Sequence, residues 1–445
     1  MKKNNISRRE FFRTATLAAA ATAGVSCLEN SPVKILKNRT AAGYGPMTYR
    51  KDKDGEDISI LGYGCMRWPM KKNDEGKDVV DQEAVDRLVD YAIAHGVNYF
   101  DTAPVYLQGQ SEAATGLSLK RYPRESWKIA TKLSNMRGTP TKESSIEMYR
   151  ASLNNLQVDY IDFYLLHSIT SVESYKKRFI DNEVLDYMVG EREKGNIRNL
   201  GFSCHCDRKT FDFLMSEHEK YHWDFVQIQM NYVDWMEDAE YLYKELEKRN
   251  IPVVIMEPLL GGRLAKLPEY CSEELQKRRS DASIASWAFR FCGTFPGVLT
   301  VLSGMTYMEH LQDNLKSFSP LDPLSEEDLK TLGHIASEYV KFPLIPCTDC
   351  KYCMPCPYGV DIPGVFRHYN KCLNDGLMVN DKADPRYRKA RRAYLVRLDR
   401  NVEKLRQANH CIGCGQCSPA CPQRIRIPDN LSKIDEYVEN LKRNR

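Results

Sequence analysis

The residue pattern predicts an α/β fold of the (β/α)8 TIM-barrel class followed by a mainly α-helical C-terminal domain, on three observations. Short strand-like apolar runs alternate with helix-period segments eight times between residues 58 and 320. Polar side chains recur at the C-terminal ends of those runs, where a closed parallel barrel assembles its active site. After Pro320 the alternation stops, and eight of the chain's fifteen cysteines fall in two tight runs.

The 445 residues carry 64 basic and 60 acidic side chains, a formal charge of +4, which argues against a dedicated nucleic-acid binder. No run of 18 or more apolar residues is present, so no permanent membrane span is expected. Residues 1–27 place Lys2-Lys3 and Ser7-Arg8-Arg9-Glu10-Phe11-Phe12 before a small-residue stretch too short to span a bilayer. That layout resembles a twin-arginine export signal, with Cys27 a candidate lipidation site; the alternative is a basic tail. Residues 28–57 read as a polar linker with a short lead-in strand.

Strands are expected at 58–66, 98–102, 127–132, 160–167, 197–204, 224–230, 252–257 and 297–303, each followed by a helical segment. The first of these helices, Asp81 to His95, sets Ala84, Leu88, Tyr91 and Ala92 on one face. A doubly wound open sheet is the competing arrangement, but no Gly-x-Gly-x-x-Gly follows the first strand. Beyond the barrel, residues 321–445 hold an acidic amphipathic helix at 325–342, a basic helical stretch at 385–408 and a charged, helical tail.

The chain is organised around Asn98 to Tyr106, where a strand ends on Asp101 and a loop broken by Pro104 lifts Tyr106 above the strand end. Lys132 and His167 close two further strands. In this order and at these positions, Asp101, Tyr106, Lys132 and His167 resemble the catalytic tetrad of the aldo/keto reductases, and the resemblance runs over residues 58–318. Taken singly, each has a structural explanation: helix cap, loop packing, solvated strand end, core histidine. Jointly they fit carbonyl chemistry. A tyrosine is a poor acid at neutral pH, and a neighbouring ammonium stabilises its phenolate. The resemblance therefore implies Tyr106 as general acid, Lys132 as its activator, Asp101 as the holder of Lys132, and His167 as the donor that orients the substrate oxygen.

The same resemblance implies a nicotinamide cofactor, NAD(P)(H), carried tightly bound if the protein is exported. Gly201-Phe202-Ser203 and Gln227 resemble the positions that hold the nicotinamide amide. Pro258-Leu259-Leu260-Gly261-Gly262 resembles the pyrophosphate loop. Ser303-Gly304-Met305 through Asp313-Asn314 resembles the adenosine segment, with a helix N-terminus suited to phosphate. There are departures. Cys204 stands in place of Asn, Met256 in place of a stacking aromatic, and Gly304 and His310 in place of residues that bind a 2′-phosphate. They argue against a built-in preference for NADPH.

Cys411, Cys414, Cys417 and Cys421 match the Cys-x2-Cys-x2-Cys-x3-Cys-Pro spacing of a [4Fe-4S] cluster, and Cys347, Cys350, Cys353 and Cys356 form a tighter version of it. By resemblance to two-cluster ferredoxins, the fourth thiol of each run is expected to cross over. Cluster one then takes Cys347, Cys350, Cys353 and Cys421, and cluster two takes Cys411, Cys414, Cys417 and Cys356. Zinc or disulfides are the alternatives. Cysteines 27, 65, 204, 206, 271, 292 and 372 are expected to pack as small apolar residues. In Cys204-His205-Cys206, strand alternation argues against a metal site.

Together these readings give an exported oxidoreductase, periplasmic or membrane-associated, or cytoplasmic if the signal is unused. It interconverts a carbonyl and an alcohol on a small, sugar-like substrate, with electrons exchanged through two clusters and a partner protein. The alternative is a non-catalytic electron-transfer or redox-sensing subunit whose barrel serves as a docking scaffold.

Overall fold

The computed structural model describes residues 44–136, 138–379 and 381–443. The export-signal segment and Cys27 lie outside them. The described chain opens on an antiparallel hairpin, β1 (Tyr49–Lys51) with β2 (Asp57–Ser59), in which Arg50 faces Ile58. The lead-in strand is therefore one arm of a hairpin. Arg50 donates to the carbonyls of Gly293 at 2.6 Å and Phe295 at 2.5 Å, so it satisfies acceptors at and just beyond the end of the helix Ile284–Thr294.

The first barrel strand, β3 (Leu61–Gly64), is shorter than residues 58–66, because Ile58 and Ser59 pair within the hairpin instead. A second hairpin follows, β4 (Met70–Lys72) with β5 (Asp78–Val80). The helix Gln82–Ala94 is capped by Asp81, which accepts from the Ala84 amide. It buries Val85, Leu88, Val89, Ala92 and Ile93, while Ala84 and Tyr91 are half-buried at the edges of that stripe. The apolar face is thus centred further round the helix than the sequence pattern indicates.

The remaining strands are β6 (Tyr99–Asp101), β7 (Lys128–Leu133), β8 (Ile161–Ile169), β9 (Ile197–Cys204), β10 (Phe225–Gln229), β11 (Val253–Met256) and β12 (Val298–Ser303). With β3 they close a barrel in the order β10-β11-β12-β3-β6-β7-β8-β9, and every neighbouring pair is parallel. Strands covered on both faces carry near-continuous apolar sequence; all nine residues of β8 are buried. Tyr99, Phe163 and Phe225 fill the interior with edge-to-face contacts at centroid separations of 5.0 Å. Gly201 is required there, since a Cβ would fall 2.2 Å from the Phe225 carbonyl and 2.9 Å from its ring.

Contacts divide the described residues into two compact units, those up to 258 with 285–336, and 259–284 with those from 337 onward. The second unit holds the helices Ile362–Asn374, Tyr387–Asn401 and Ile427–Arg443 around a core that includes Phe366, Tyr394, Leu398 and Leu431. Both cysteine runs pack against that core. Among the described residues no helix is long and apolar enough to cross a membrane.

Candidate active site

The ends of β6, β7 and β8 bring three of the four predicted site residues to one rim of the barrel, and the loop after β6 supplies Tyr106. Lys132 is fully buried and donates to Asp101 Oδ1 at 2.5 Å and to the Thr102 carbonyl at 2.7 Å. An ammonium has three N–H donors, so one is left over. The Tyr106 ring lies 5.0 Å from Lys132 Nζ, centroid to nitrogen, and meets the His167 ring edge-on at 5.9 Å. All four predicted residues are therefore neighbours. Burial raises the Asp101 carboxyl and lowers the Lys132 ammonium, while the attraction between them opposes both shifts. The 2.5 Å contact and the second acceptor at Thr102 favour the ion pair.

His167 does not close its strand. β8 continues to Ile169, with a register shift between Leu166 and Ile169 and with Ser168 in the left-handed region at φ 54°. This bulge turns the His167 side chain, and nearby polar groups hold it. Arg178 donates to the His167 carbonyl at 2.5 Å and the Ser168 carbonyl at 3.2 Å, and the Ser168 amide donates to Ser203 Oγ at 2.8 Å. Ser134, just beyond β7, sets its hydroxyl 2.6 Å from His167 Nδ1. Burial first, then the charges of Lys132 and Arg178, holds His167 well below the usual histidine range.

Ser134 and Arg178 were missed by sequence reasoning. The polar Ser134-Asn135 pair directly after the lysine strand was the available signal; Arg178 gave none, because it reaches back to β8 from a helical turn nine residues beyond the strand end.

Among the residues assigned to nicotinamide, Gln227 Oε1 is buried with no hydrogen-bond partner, and the Gln227 amide nitrogen lies 3.5 Å from Met256 Sδ. An orphaned acceptor at the barrel end suits a carboxamide N–H donor. Ser203 faces Gln227 across β9 and β10 and already accepts from Ser168. Asn314 donates to Ser303 Oγ at 2.8 Å, and Met305 is buried with its carbonyl accepting from Tyr63 at 2.5 Å. Gly304 is covered by Arg67, whose Cδ would lie 3.0 Å from an added Cβ. A cation thus does stand at the segment that lacks its own, contributed from the turn after β3.

Pro258 ends the first unit, and Leu259 begins the segment grouped with the second. There Gly261, at φ 68°, stands against the first cysteine run, and an added Cβ would lie 2.4 Å from Thr348 Cα. The segment is further tied by Lys266 to Asp375 at 3.2 Å and by Tyr270 stacked on Phe342 at 6.4 Å. Gly261→Ala combines left-handed strain with a clash on backbone, and should lower the second unit's stability by about 1–3 kcal/mol. The loss is read as a lower denaturant midpoint; an unchanged midpoint would contradict the contact.

None of the eight cysteines of the two runs is in a disulfide. Cys353 is pushed up by burial and then by Cys350, Cys347, Cys421 and Cys417; Cys347 rises to about 11, chiefly by burial, with Cys421 among its neighbours. Cys417 has Cys411 and Cys414 beside it. The cluster assignment rests on the cysteine spacing, since among the described residues no three His, Cys, Asp or Glu side chains are gathered to hold one metal ion. The two runs are also repeats. Asp349 and Lys351 flank Cys350 at φ 56° and 63°, as Gly413 and Gly415 flank Cys414 at 74° each. Cys356-Pro-Tyr-Gly359-Val-Asp-Ile-Pro parallels Cys421-Pro-Gln-Arg424-Ile-Arg-Ile-Pro, with Gly359 and Arg424 again left-handed at 77° and 51°. A helix follows each, and the repeat was legible in the sequence.

Comparison with known proteins agrees with this division. The aldo/keto reductase family profile matches residues 60–336, and a 4Fe-4S dicluster domain matches residues 346–427. The uncharacterized oxidoreductase YqkF of Bacillus subtilis is 26% identical over 305 residues, covering 62% of this chain and 92% of that protein. Among solved structures, the holo form of aldo-keto reductase AKR11C1 from Bacillus halodurans superposes with a TM-score of 0.54 at 24% identity, covering 65% of this chain and 96% of that one. An aldo-keto reductase from Klebsiella pneumoniae in complex with NADPH gives 0.51 at 20% identity, covering 65% and 95%. These structures share the barrel. With the family profile spanning more than half of its length, the chain belongs to the aldo/keto reductase family and carries a 4Fe-4S dicluster domain after the barrel.

Proposed function

We propose that this oxidoreductase interconverts a carbonyl and an alcohol on a small, sugar-like substrate at the rim formed by Asp101, Tyr106, Lys132 and His167. The reading rests on one observation: a fully buried lysine, 2.5 Å from a carboxylate, beneath a tyrosine that meets a buried histidine. A docking scaffold has no use for a desolvated ion pair, which costs several kcal/mol to bury. Lys132 keeps positive charge beside the Tyr106 ring and favours proton transfer from its hydroxyl to the substrate oxygen. His167 donates to that same oxygen and fixes its position.

The donor role needs a hydrogen on His167 Nε2. A neutral imidazole carries one there if the Ser134 hydroxyl gives its single hydrogen to Nδ1 at 2.6 Å rather than to the Lys132 carbonyl at 3.4 Å, and that is the arrangement this reading requires. Ser134→Ala should therefore lower kcat by about 10–100-fold with KM nearly unchanged, and Ser134→Thr should restore most of it. Equal kcat in Ser134→Ala would remove the role.

Nicotinamide, when bound, supplies the hydride, and the clusters pass single electrons. Gln227 and Ser203 are suited to its amide, Ser303, Gly304, Met305 and Asn314 to the adenosine half, and Arg67 to a phosphate there; Pro258, Leu259 and Gly261 are the loop residues assigned to the pyrophosphate. The NADPH of the Klebsiella relative supports this cofactor class. Cluster ligation follows the crossed scheme by resemblance to two-cluster ferredoxins. Export by the twin-arginine route is supported by Ser7-Arg8-Arg9-Glu10-Phe11-Phe12; Arg8→Lys with Arg9→Lys should retain the protein in the cytoplasm.

The test is anaerobic mixing of the purified protein with NADH or NADPH. Bleaching of the visible cluster absorption is expected. If dithionite bleaches that band and neither nucleotide does, the two chemistries are not connected.

A further inference from the structure

The second cysteine run lies open to solvent. Cys414 is exposed, as are Ile412, Gly413 and Gln416, whereas Thr348 of the first run is buried. Large apolar side chains stand exposed around it: Leu405 at 77%, Ile412 at 62% and Tyr358 at 46%. They come from three segments tied together. The Asp361 amide donates to the Arg406 carbonyl at 2.9 Å, Arg406 Nε donates to the Gly359 carbonyl at 3.3 Å, and His410 Nε2 lies 3.2 Å from the Lys404 carbonyl. These segments carry or adjoin Cys356 and Cys411, two of the thiols assigned to cluster two. Apolar patches of this kind mark contact surfaces.

Charge points to the partner. Residues 343–445 carry 19 basic and 11 acidic side chains, net +8, against +4 for the whole chain, so the rest is net −4. Between residues 400 and 428 stand Arg400, Lys404, Arg406, Arg424 and Arg426 against Glu403 alone. Lys404, Arg406 and Arg424 are exposed.

We propose that this face is the docking surface for an acidic one-electron carrier protein, with Leu405, Ile412 and Tyr358 at its centre and Lys404, Arg406 and Arg424 at its rim. The inference rests on the cluster assignment above. One electron leaves the reduced cluster and one arrives on the carrier; no proton or ligand moves with it. The rim steers an acidic partner, and the centre excludes water where the electron crosses. A membrane surface fits less well, because the apolar residues lie on a turn, a 3-10 segment and a cysteine loop rather than on one face of a helix.

The experiment uses the full chain with its clusters, under anaerobic conditions, titrated calorimetrically with a small acidic [2Fe-2S] ferredoxin. Binding should weaken at least ~10-fold when salt is raised from about 20 to about 200 mM. Leu405→Ser with Ile412→Ser should weaken it ~10-fold or more with iron content and visible spectrum unchanged. Lys404→Glu should weaken it and flatten the salt dependence, whereas Lys389→Glu, the same charge change on an exposed helix position, should alter it by less than ~3-fold. Equal losses from Lys389→Glu and Lys404→Glu would overturn the location. A cluster-loaded chain that ignores the ferredoxin, or that instead binds phosphatidylglycerol vesicles through Leu405 and Ile412, would overturn the proposal. A chain purified without iron is a separate failure, that of the cluster assignment, and is read before any titration.

Discussion

Tyr106→Phe should lower carbonyl reduction by about 10²–10⁴-fold, the usual contribution of a positioned general acid, while leaving nucleotide affinity and the cluster spectrum unchanged. The variant removes one oxygen. The ring keeps its edge-on contact with His167 and its place beside Lys132. Lys132→Met is a less clean probe, because it leaves Asp101 buried and unpaired at a cost of about 3–5 kcal/mol. The pH profile carries the same signature. Activity that requires charged Lys132 is lost as pH rises through its folded pKa, which burial sets below the ordinary lysine value. On the acid side His167 stays neutral well below the usual histidine range, so kcat/KM should remain level through about pH 6.5. Full turnover by Tyr106→Phe would contradict the assigned acid.

Cys421→Ser should cost about half of the iron, roughly four of eight atoms, and the cluster lost should be the one held by the first run. Although Cys421 lies in the second run, its charge acts on Cys347 and Cys353, as that of Cys417 also acts on Cys353. The repeat of the two runs gives the reason. In the crossed scheme each would wrap three thiols around its own cluster, and each has left-handed residues on both sides of its middle cysteine. Cys421→Ser and Cys347→Ser should therefore leave the same residual paramagnetic spectrum, and Cys411→Ser should leave the other. If Cys421→Ser matches Cys411→Ser instead, ligation is not crossed. Since metal binding contributes to folding in small domains, each variant should also lower the unfolding midpoint of the second unit.

The barrel was legible because parallel strands covered on both faces leave nearly unbroken apolar runs, and the four rim residues were legible because they lie within a few residues of strand ends. What escaped depends on groups distant in sequence. The bulge at His167 and Ser168 is held by Arg178 and Ser203, and backbone carbonyls freed from a ladder leave no mark on the chain that supplies their donors. Arg67 over Gly304 and Gly261 against Thr348 are likewise tertiary approaches. Ser134 shows the other kind of miss: the residue was in view, but its meaning comes only from a 2.6 Å distance.

The central claim is that one chain holds both a hydride site and two electron-carrying clusters. Anaerobic purification, with iron and sulfide counted and bound small molecules released and identified in the same sample, tests it most directly. The account predicts about eight irons and about eight sulfides per chain, with a nicotinamide dinucleotide either bound or taken up on addition. The same iron with no nucleotide present, and no binding of NAD(H) or NADP(H), would contradict it and leave the chain an electron-transfer protein built on a reductase barrel.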